Sequence, residues 1–248
     1  MLYEEALKSD RFVSTRQRMN NQFCDVILLV QGKEFPAHRN VLAACSVYFD
    51  TMFSSQMKER HEKTIPMEGI TSYAMEKILE FIYAQDISVT SKDIKETLPA
   101  AHLMQIEELL DVLSNYIANH INSSNCFFFR EIGKLYSLKD VIESADFYIS
   151  YKFDEVYKLT GFCQLPLFDV VSIIASDSLN VMDEGIVFEA VCRWVNHDIN
   201  KRESLFPILM KSVRLQLIST ANLAKNISPK VCICFSFLTL IIFIKRKR

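Results

Sequence analysis

The apolar and polar positions of the chain are organised around the stretch from Phe23 to Phe53, FCDVILLVQGKEFPAHRNVLAACSVYFDTMF. DVILLV is an apolar run of strand length, Gln31-Gly32 supplies a tight turn, and Lys33 to Phe35 gives a short return strand, so the pattern predicts a β-hairpin. Two short helical patterns follow, Arg39 to Cys45 and, after a Ser46 cap, Val47 to Phe53. Asp25, His38 and Arg39 interrupt this otherwise apolar block. Polar residues in a predicted core need a reason.

On either side the pattern is mostly helical. Leu2 to Met19 opens with apolar residues at 2, 3, 6 and 7 and continues through Phe12 to Met19; it predicts an N-terminal helix whose stripe needs a partner surface. Gln56 to Lys63 is a polar loop holding one apolar residue, Met57. Thr64-Ile65-Pro66 and Ile87-Ser88-Val89 suggest short extended pieces. Thr71 to Tyr83 is amphipathic, with Ala74, Ile78 and Ile82 at i, i+4 and i+8. Pro99 predicts that Lys92–Leu98 and a segment starting at Pro99 are separate helices. Ile106 to Ile121 places Ile106, Leu109, Leu110, Leu113 and Ile117 on one face. Asn122 to Asn125 is the most loop-like stretch and marks a boundary. Beyond it the pattern predicts helices over Cys126–Tyr136, Asp140–Lys152, Phe153–Leu159, Phe168–Ala175, Glu184–Asn196 and Lys201–Val213, with turns at Gly161, Asp177-Ser178 and Asp183. An α+β first half precedes an all-α second half. The division expected is 1–122, 123–230 and an apolar-basic tail, 231–248.

That tail, VCICFSFLTLIIFI followed by Lys245 to Arg248, spans about 21 Å as a helix against a hydrocarbon core of about 30 Å. It is too short for a span, so a membrane is not expected as a partner, and its uncharged β-branched content is an aggregation hazard. The whole chain of 248 residues is 50% hydrophobic, with 5 Gly and 6 Pro, a helix-leaning globular composition. A formal charge of −2 and the lack of a basic stripe before the last four residues argue against nucleic acid. Seven scattered cysteines without CxxC spacing, and an N-terminus lacking the basic and apolar parts of a signal peptide, indicate a reducing compartment, cytoplasmic or also nuclear.

Catalytic signatures are not found: the sequence has no GxSxG, P-loop, GxGxxG or HExxH. No His or Cys pair has zinc spacing, so no metal or other cofactor is expected. Cys24, Cys45, Cys126 and Cys192 read as small core residues. Asp93, Glu107, Glu108 and Asp111 read as solvated charges on helix faces, and Trp194 as core. Asp25 and Arg39 read as a buried ion pair that sets the geometry of an interface.

In order along the chain, DV-x-L-x-V, F-x-AHR-x-VLAA-S-x-YF-x-x-MF, the EFIY at 80–83 and LPAAHLMQ, then Asn125-Cys126, Ala145, Phe153-x-x-Val156, Asp177 to Val181, Glu184, Ala190-Val191-x-x-Trp194-Val195 and Val213-Arg214-Leu215, resemble the BTB–BACK part of a Kelch-like protein. That class serves as substrate adaptor for cullin-3 ubiquitin ligases. The resemblance implies an α+β BTB/POZ domain followed by an all-α BACK domain. It implies a non-catalytic homodimer, formed by the first helix and first strand region, with Leu7, Phe12, Asp25 and Arg39 at the interface. It also implies cullin-3 docking through Phe53, Met57, Lys58 and Glu59, with Met57 as apolar anchor and Glu59 as polar partner, and a helical hairpin near Asn125–Lys152 supplying the rest of the groove. Burying a side chain the size of Met57 contributes roughly 1.5–3 kcal/mol.

Ala84-Gln85-Asp86 departs from the family's usual Gly, and no propeller repeats follow Pro229. The expectation is therefore a truncated product, such as a splice variant, able to hold the ligase or form mixed dimers with a full-length form. The alternatives are an oligomerisation scaffold in transcription or cytoskeletal assembly without a ligase, and a marginally membrane-anchored variant.

Overall fold

The computed structural model describes residues 14–54, 57–84 and 87–218. The chain divides into two compact units, Met1–Asn119 and His120–Arg248. The expected departure at Gln85-Asp86 and the apolar tail lie outside the described residues.

In the first unit, β1 (Val26–Val30) buries Val26, Leu28 and Val30 and leaves Ile27 and Leu29 half-buried. This is the period-two signature of a strand with one face on the core. It pairs antiparallel with β2 (Lys33–Ala37), Leu28 opposite Phe35. Gln31 and Gly32 both take positive φ, 50° and 79°. That is the backbone a two-residue hairpin turn matching strand twist requires. β3 (Thr64–Pro66) lies parallel on the other side of β1, giving the order β2-β1-β3. Pro66 is tolerated because this short strand is at the edge.

Helices α1 (Arg39–Cys45) and α2 (Val47–Ser54) connect the hairpin to β3, through a 3₁₀ turn at Lys58–Arg60. Ser46 caps α2 as expected: its hydroxyl accepts from the Phe49 N–H at 3.2 Å and donates to the Met104 carbonyl at 2.6 Å. α3 (Ser72–Ala84), α4 (Ser91–Leu103) and α5 (Glu107–Asn119) complete the unit. Residues 14–19 are helical and tie back to α3, since the Thr15 hydroxyl donates to the Tyr83 carbonyl at 3.0 Å.

Three expectations fail here. Ile87 to Thr90 form no strand. Pro99 does not divide a helix: α4 runs through it. The proline removes one N–H, and the carbonyl four residues back belongs to exposed Lys95, where water can take the bond. Burial of Ile94, Thr97, Leu98, Ala100 and Ala101 on both sides of the proline holds the helix together. Asp93 is not a solvated charge but fully buried. Its carboxylate accepts from the Thr90 N–H and hydroxyl, from the Tyr73 hydroxyl and from the Thr97 hydroxyl, closing a capping box that starts α4.

The start of α1 is anchored by His38. Its backbone N–H donates to the Tyr83 hydroxyl at 2.9 Å, and its Nδ1 lies 2.9 Å from the same oxygen. Nε2 lies 2.9 Å from the Gln22 carbonyl. These partners fit the neutral ring carrying its proton on Nε2: the phenol donates to Nδ1, and Nε2–H donates to the carbonyl. Burial pushes the Tyr83 phenol up to about 12, so it stays a donor.

The second unit is helical among its described residues: α6 (Cys126–Leu135), α7 (Lys139–Tyr151), α8 (Phe153–Val156), α9 (Thr160–Gln164), α10 (Leu167–Ile174), α11 (Glu184–His197), α12 (Ile199–Arg202) and α13 (Phe206–Met210). Its core gathers Phe153, Phe162, Trp194 and Phe206. Trp194 is core, as expected, and donates its Nε1–H to the Leu165 carbonyl at 2.9 Å. The single helix expected over Lys201–Val213 is broken, because Pro207 sits in the first turn of α13 and a 3₁₀ turn at Glu203–Leu205 precedes it. Gly161 is inside α9 rather than in a turn. A Cβ there would meet Phe127 at 3.0 Å, so its use is close approach to α6. Of the cysteines read as core, Cys126 and Cys192 are buried, while Cys24 and Cys45 are half-buried. No helix among the described residues is long and apolar enough to cross a membrane.

A buried charge cluster joins α6, α7 and α10. Arg130, 4% exposed, donates to Asp146 and Asp169, and Lys134 donates to Asp169, itself 3% exposed. Burial works to raise the Asp169 carboxyl, but the hydrogen bonds and charges of Lys134 and Arg130 outweigh it and hold the group below the usual carboxylate range.

A depressed folded-state pKa contributes stability above the unfolded value of about 3.9, and that stability is lost as pH falls through the folded value. Urea unfolding at a series of pH values should therefore show stability falling below about pH 4, with a flatter acid limb in Asp169→Asn. Identical pH profiles would contradict the assignment. In the first unit, Tyr83→Phe strands the buried N–H and ring nitrogen of His38, and denaturant unfolding should show a loss of about 1–3 kcal/mol.

Candidate functional site

The residues that the resemblance placed at a docking site lie along one stretch of the first unit. α2 ends at Ser54, residues 55–56 are outside the description, and the chain resumes at Met57 before the 3₁₀ turn. Met57 is 51% exposed, a large apolar side chain in water beside exposed Lys58. Glu59 is half-buried, and its charge, after burial, helps raise the Tyr48 phenol, which places the carboxylate near the first turn of α2. Phe53 is half-buried and stacked on Phe49, with ring centroids 5.8 Å apart.

Arg39 and Asp25 do not form the buried ion pair expected from the sequence. Asp25 is exposed, and its carboxylate accepts from the backbone N–H of Arg39 at 2.8 Å, satisfying a first-turn donor of α1. The Arg39 guanidinium turns instead to the stretch between Glu59 and Glu62. It donates to the Glu59 carbonyl at 2.9 Å and the Glu62 carbonyl at 2.5 Å, and lies over the Phe53 ring with Cζ 4.7 Å from the centroid. An ion pair was the natural reading of Asp and Arg in one apolar block. Backbone carbonyls compete for the same guanidinium and leave no residue-type trace in a sequence. The only signal available was that a permanent cation in that block must find acceptors.

The other residues expected at a dimer interface, Leu7 and Phe12, lie outside the described residues. Beside α1 and α2 a hollow of about 600 Å³ is lined in part by Val41, Ala44, Val47, Asp50, Ile82 and Glu108. Val47 there is 57% exposed. In the second unit a hollow of about 580 Å³ lies at the expected helical hairpin, lined in part by Phe127, Phe128, Leu159, Gly161, Leu165 and Pro166. Phe128 on its wall is half-exposed, an apolar surface suited to a chain segment rather than to a small polar ligand.

Cys24 Sγ lies 3.8 Å from His38 Nε2, a proximity the sequence did not reveal. Burial nevertheless raises the Cys24 thiol, against the opposing charge of Arg18, and Nε2 is engaged with Gln22, so the pair is not poised as nucleophile and base. Among the described residues no group of three His, Cys, Asp or Glu side chains is arranged to hold a metal.

Two family models match successive parts of the chain. The family model of the BTB/POZ domain matches residues 15–121, and that of BACK (BTB And C-terminal Kelch) matches 126–228. Kelch-like protein 17 of Mus musculus is 36% identical over 211 residues, covering 85% of this chain and 33% of the relative. Kelch-like protein 2 of Rattus norvegicus is 31% identical over 221 residues, covering 89% and 37%. A solved BTB domain of zebrafish PATZ1, 31% identical with a TM-score of 0.42, covers 46% of this chain and 92% of its own. The chain thus spans about a third of the length of the curated relatives it matches. With an α+β unit matched by one model and a helical unit matched by the other, the chain belongs to the BTB–BACK family of Kelch-like proteins.

Proposed function

We propose that this chain is a non-catalytic, dimeric adaptor module that binds cullin-3 in a ubiquitin ligase, docking through Phe53, Met57, Lys58 and Glu59. The observation that carries the reading is Met57: a large apolar side chain, half in water, followed directly by a short turn with a carboxylate two residues on. An exposed anchor of this kind beside a polar partner is the pattern of a protein–protein hot spot. The family supplies the partner, since its Kelch-like relatives have the adaptor architecture that the resemblance links to cullin-3.

Two further surfaces suit the same role. The hollow bounded by half-exposed Phe128 in the second unit offers an apolar seat for a further segment of cullin-3. Self-association is proposed for the face around Val47 and the hollow beside α1 and α2, where the exposed apolar side chain needs cover. Asp25 contributes to that face by fixing the start of α1. Leu7 and Phe12, proposed for the same interface, lie outside the described residues.

Titration of purified cullin-3 into the whole chain tests the proposal. Wild type should bind at micromolar concentration or better. Met57→Asp, which puts a charge where an apolar anchor is buried, should abolish binding, and Glu59→Ala should weaken it by about tenfold. Neither substitution should alter thermal stability by more than about 0.5 kcal/mol, because both side chains are outside the core. No binding by wild type at micromolar concentration would leave the oligomerisation scaffold without a ligase as the function.

A further inference from the structure

The segment from Met57 to Lys63 buries little of itself: its side chains are exposed apart from half-buried Glu59. Its internal backbone bonds run from the Arg60 N–H to the Met57 carbonyl and from the His61 N–H to the Lys58 carbonyl. A 3₁₀ turn this short is not sustained by its own hydrogen bonds, whose geometry is poor. A docking element with so little packing has to be held by something outside it, or its ordering cost falls on the binding step.

Arg39 reaches it from the start of α1. One terminal nitrogen of the guanidinium donates to the Glu59 carbonyl and the other to the Glu62 carbonyl, so a single rigid fork spans the turn and the residues just after it. The same group lies over the ring of Phe53, the last large side chain of α2 before Met57, with Cζ 4.7 Å from its centroid. At the other end of the residue, the backbone of Arg39 is fixed by the Asp25 carboxylate. The fork is therefore mounted on a held base and closes on both flanks of Met57.

We infer that Arg39 is a positioning residue for docking, holding the Met57–Glu62 turn in its binding geometry before the partner arrives. This rests on the reading that Met57 and Glu59 dock cullin-3, and it assigns Arg39 to that surface rather than to self-association. Charge alone does not perform the task. A lysine is a point charge on a flexible stem, without a fork to bridge two carbonyls.

The test titrates purified cullin-3 into wild type, Arg39→Met, Arg39→Lys and Met57→Asp, at a temperature where circular dichroism shows each chain folded. Both Arg39 variants should bind on the order of tenfold or more weaker, as expected for lost hydrogen bonds from a charged donor. Sedimentation should show the wild-type oligomeric state in both. Glu59→Ala should cost less in the Arg39→Met background than in wild type, because an unheld turn no longer presents its carboxylate; such non-additivity reports coupling, which a uniform loss of stability does not produce. If Arg39→Met does not fold, Arg39→Lys carries the test by itself. Wild-type affinity in a folded Arg39 variant, strict additivity with Glu59→Ala, or loss of affinity only in step with loss of the dimer overturns the inference. Wild-type binding by Met57→Asp overturns the docking reading itself, whereas abolished binding in Met57→Asp beside unchanged binding in Arg39→Met overturns the positioning role alone.

Discussion

Parallel pairing of β3 with β1 is the constraint on which the first unit turns. β1 is central, its one edge taken by β2 in a hairpin and its other by β3 running in the same direction. β2 ends and β3 begins at the same end of β1, Ala37 opposite Val26 and Thr64 opposite Ile27, so the chain must cross around β1 to reach its other edge. α1 and α2 are that crossover, and the turn carrying Met57 and Glu59 is its last leg. The return is fixed to the sheet by the Ile27 N–H to the Lys63 carbonyl at 2.8 Å and by the Met67 N–H to the Leu29 carbonyl at 2.9 Å. Arg39, on the first leg, holds the last one. The exposed anchor is consequently a product of the topology and not a free loop.

The three polar residues that interrupt the apolar block each satisfy a backbone group at this crossover. Asp25 takes the first N–H of α1, His38 offers its own N–H to Tyr83 while its ring spans to the Gln22 carbonyl, and Arg39 takes two carbonyls of the return. Crossover connections are rich in backbone donors and acceptors that no ladder uses, and leaving such groups unpaired when buried is costly. In the second unit the buried charges pair with one another instead, Arg130 and Lys134 on Asp169 at the junction of α6, α7 and α10.

Most of the fold was legible because it rests on periodicity. The BiBiB pattern of Val26–Val30, the Gln31-Gly32 turn and the amphipathic helix through Ala74, Ile78 and Ile82 all follow from residue type and spacing. What could not be read depends on neighbours distant in sequence. Pro99 and Pro207 are alike locally, yet the first is carried inside α4 by burial on both sides and the second starts a new helix. Asp93 resembles any helix-face carboxylate until the Tyr73 hydroxyl is brought to it from α3. At the site, Met57 was legible as the one apolar residue in a polar run. The role of Arg39 was not, because its acceptors are main-chain carbonyls.

Docking of cullin-3 is proposed at the turn between α2 and β3. Amide hydrogen exchange of the whole chain, with and without saturating cullin-3, addresses it at the level of single segments. Added protection is expected at Phe53 and from Met57 to Glu62, including the Arg60 and His61 amides, while the β1 amides paired in the sheet stay unchanged. Formation of the complex with no change in exchange between Phe53 and Glu62 would contradict it.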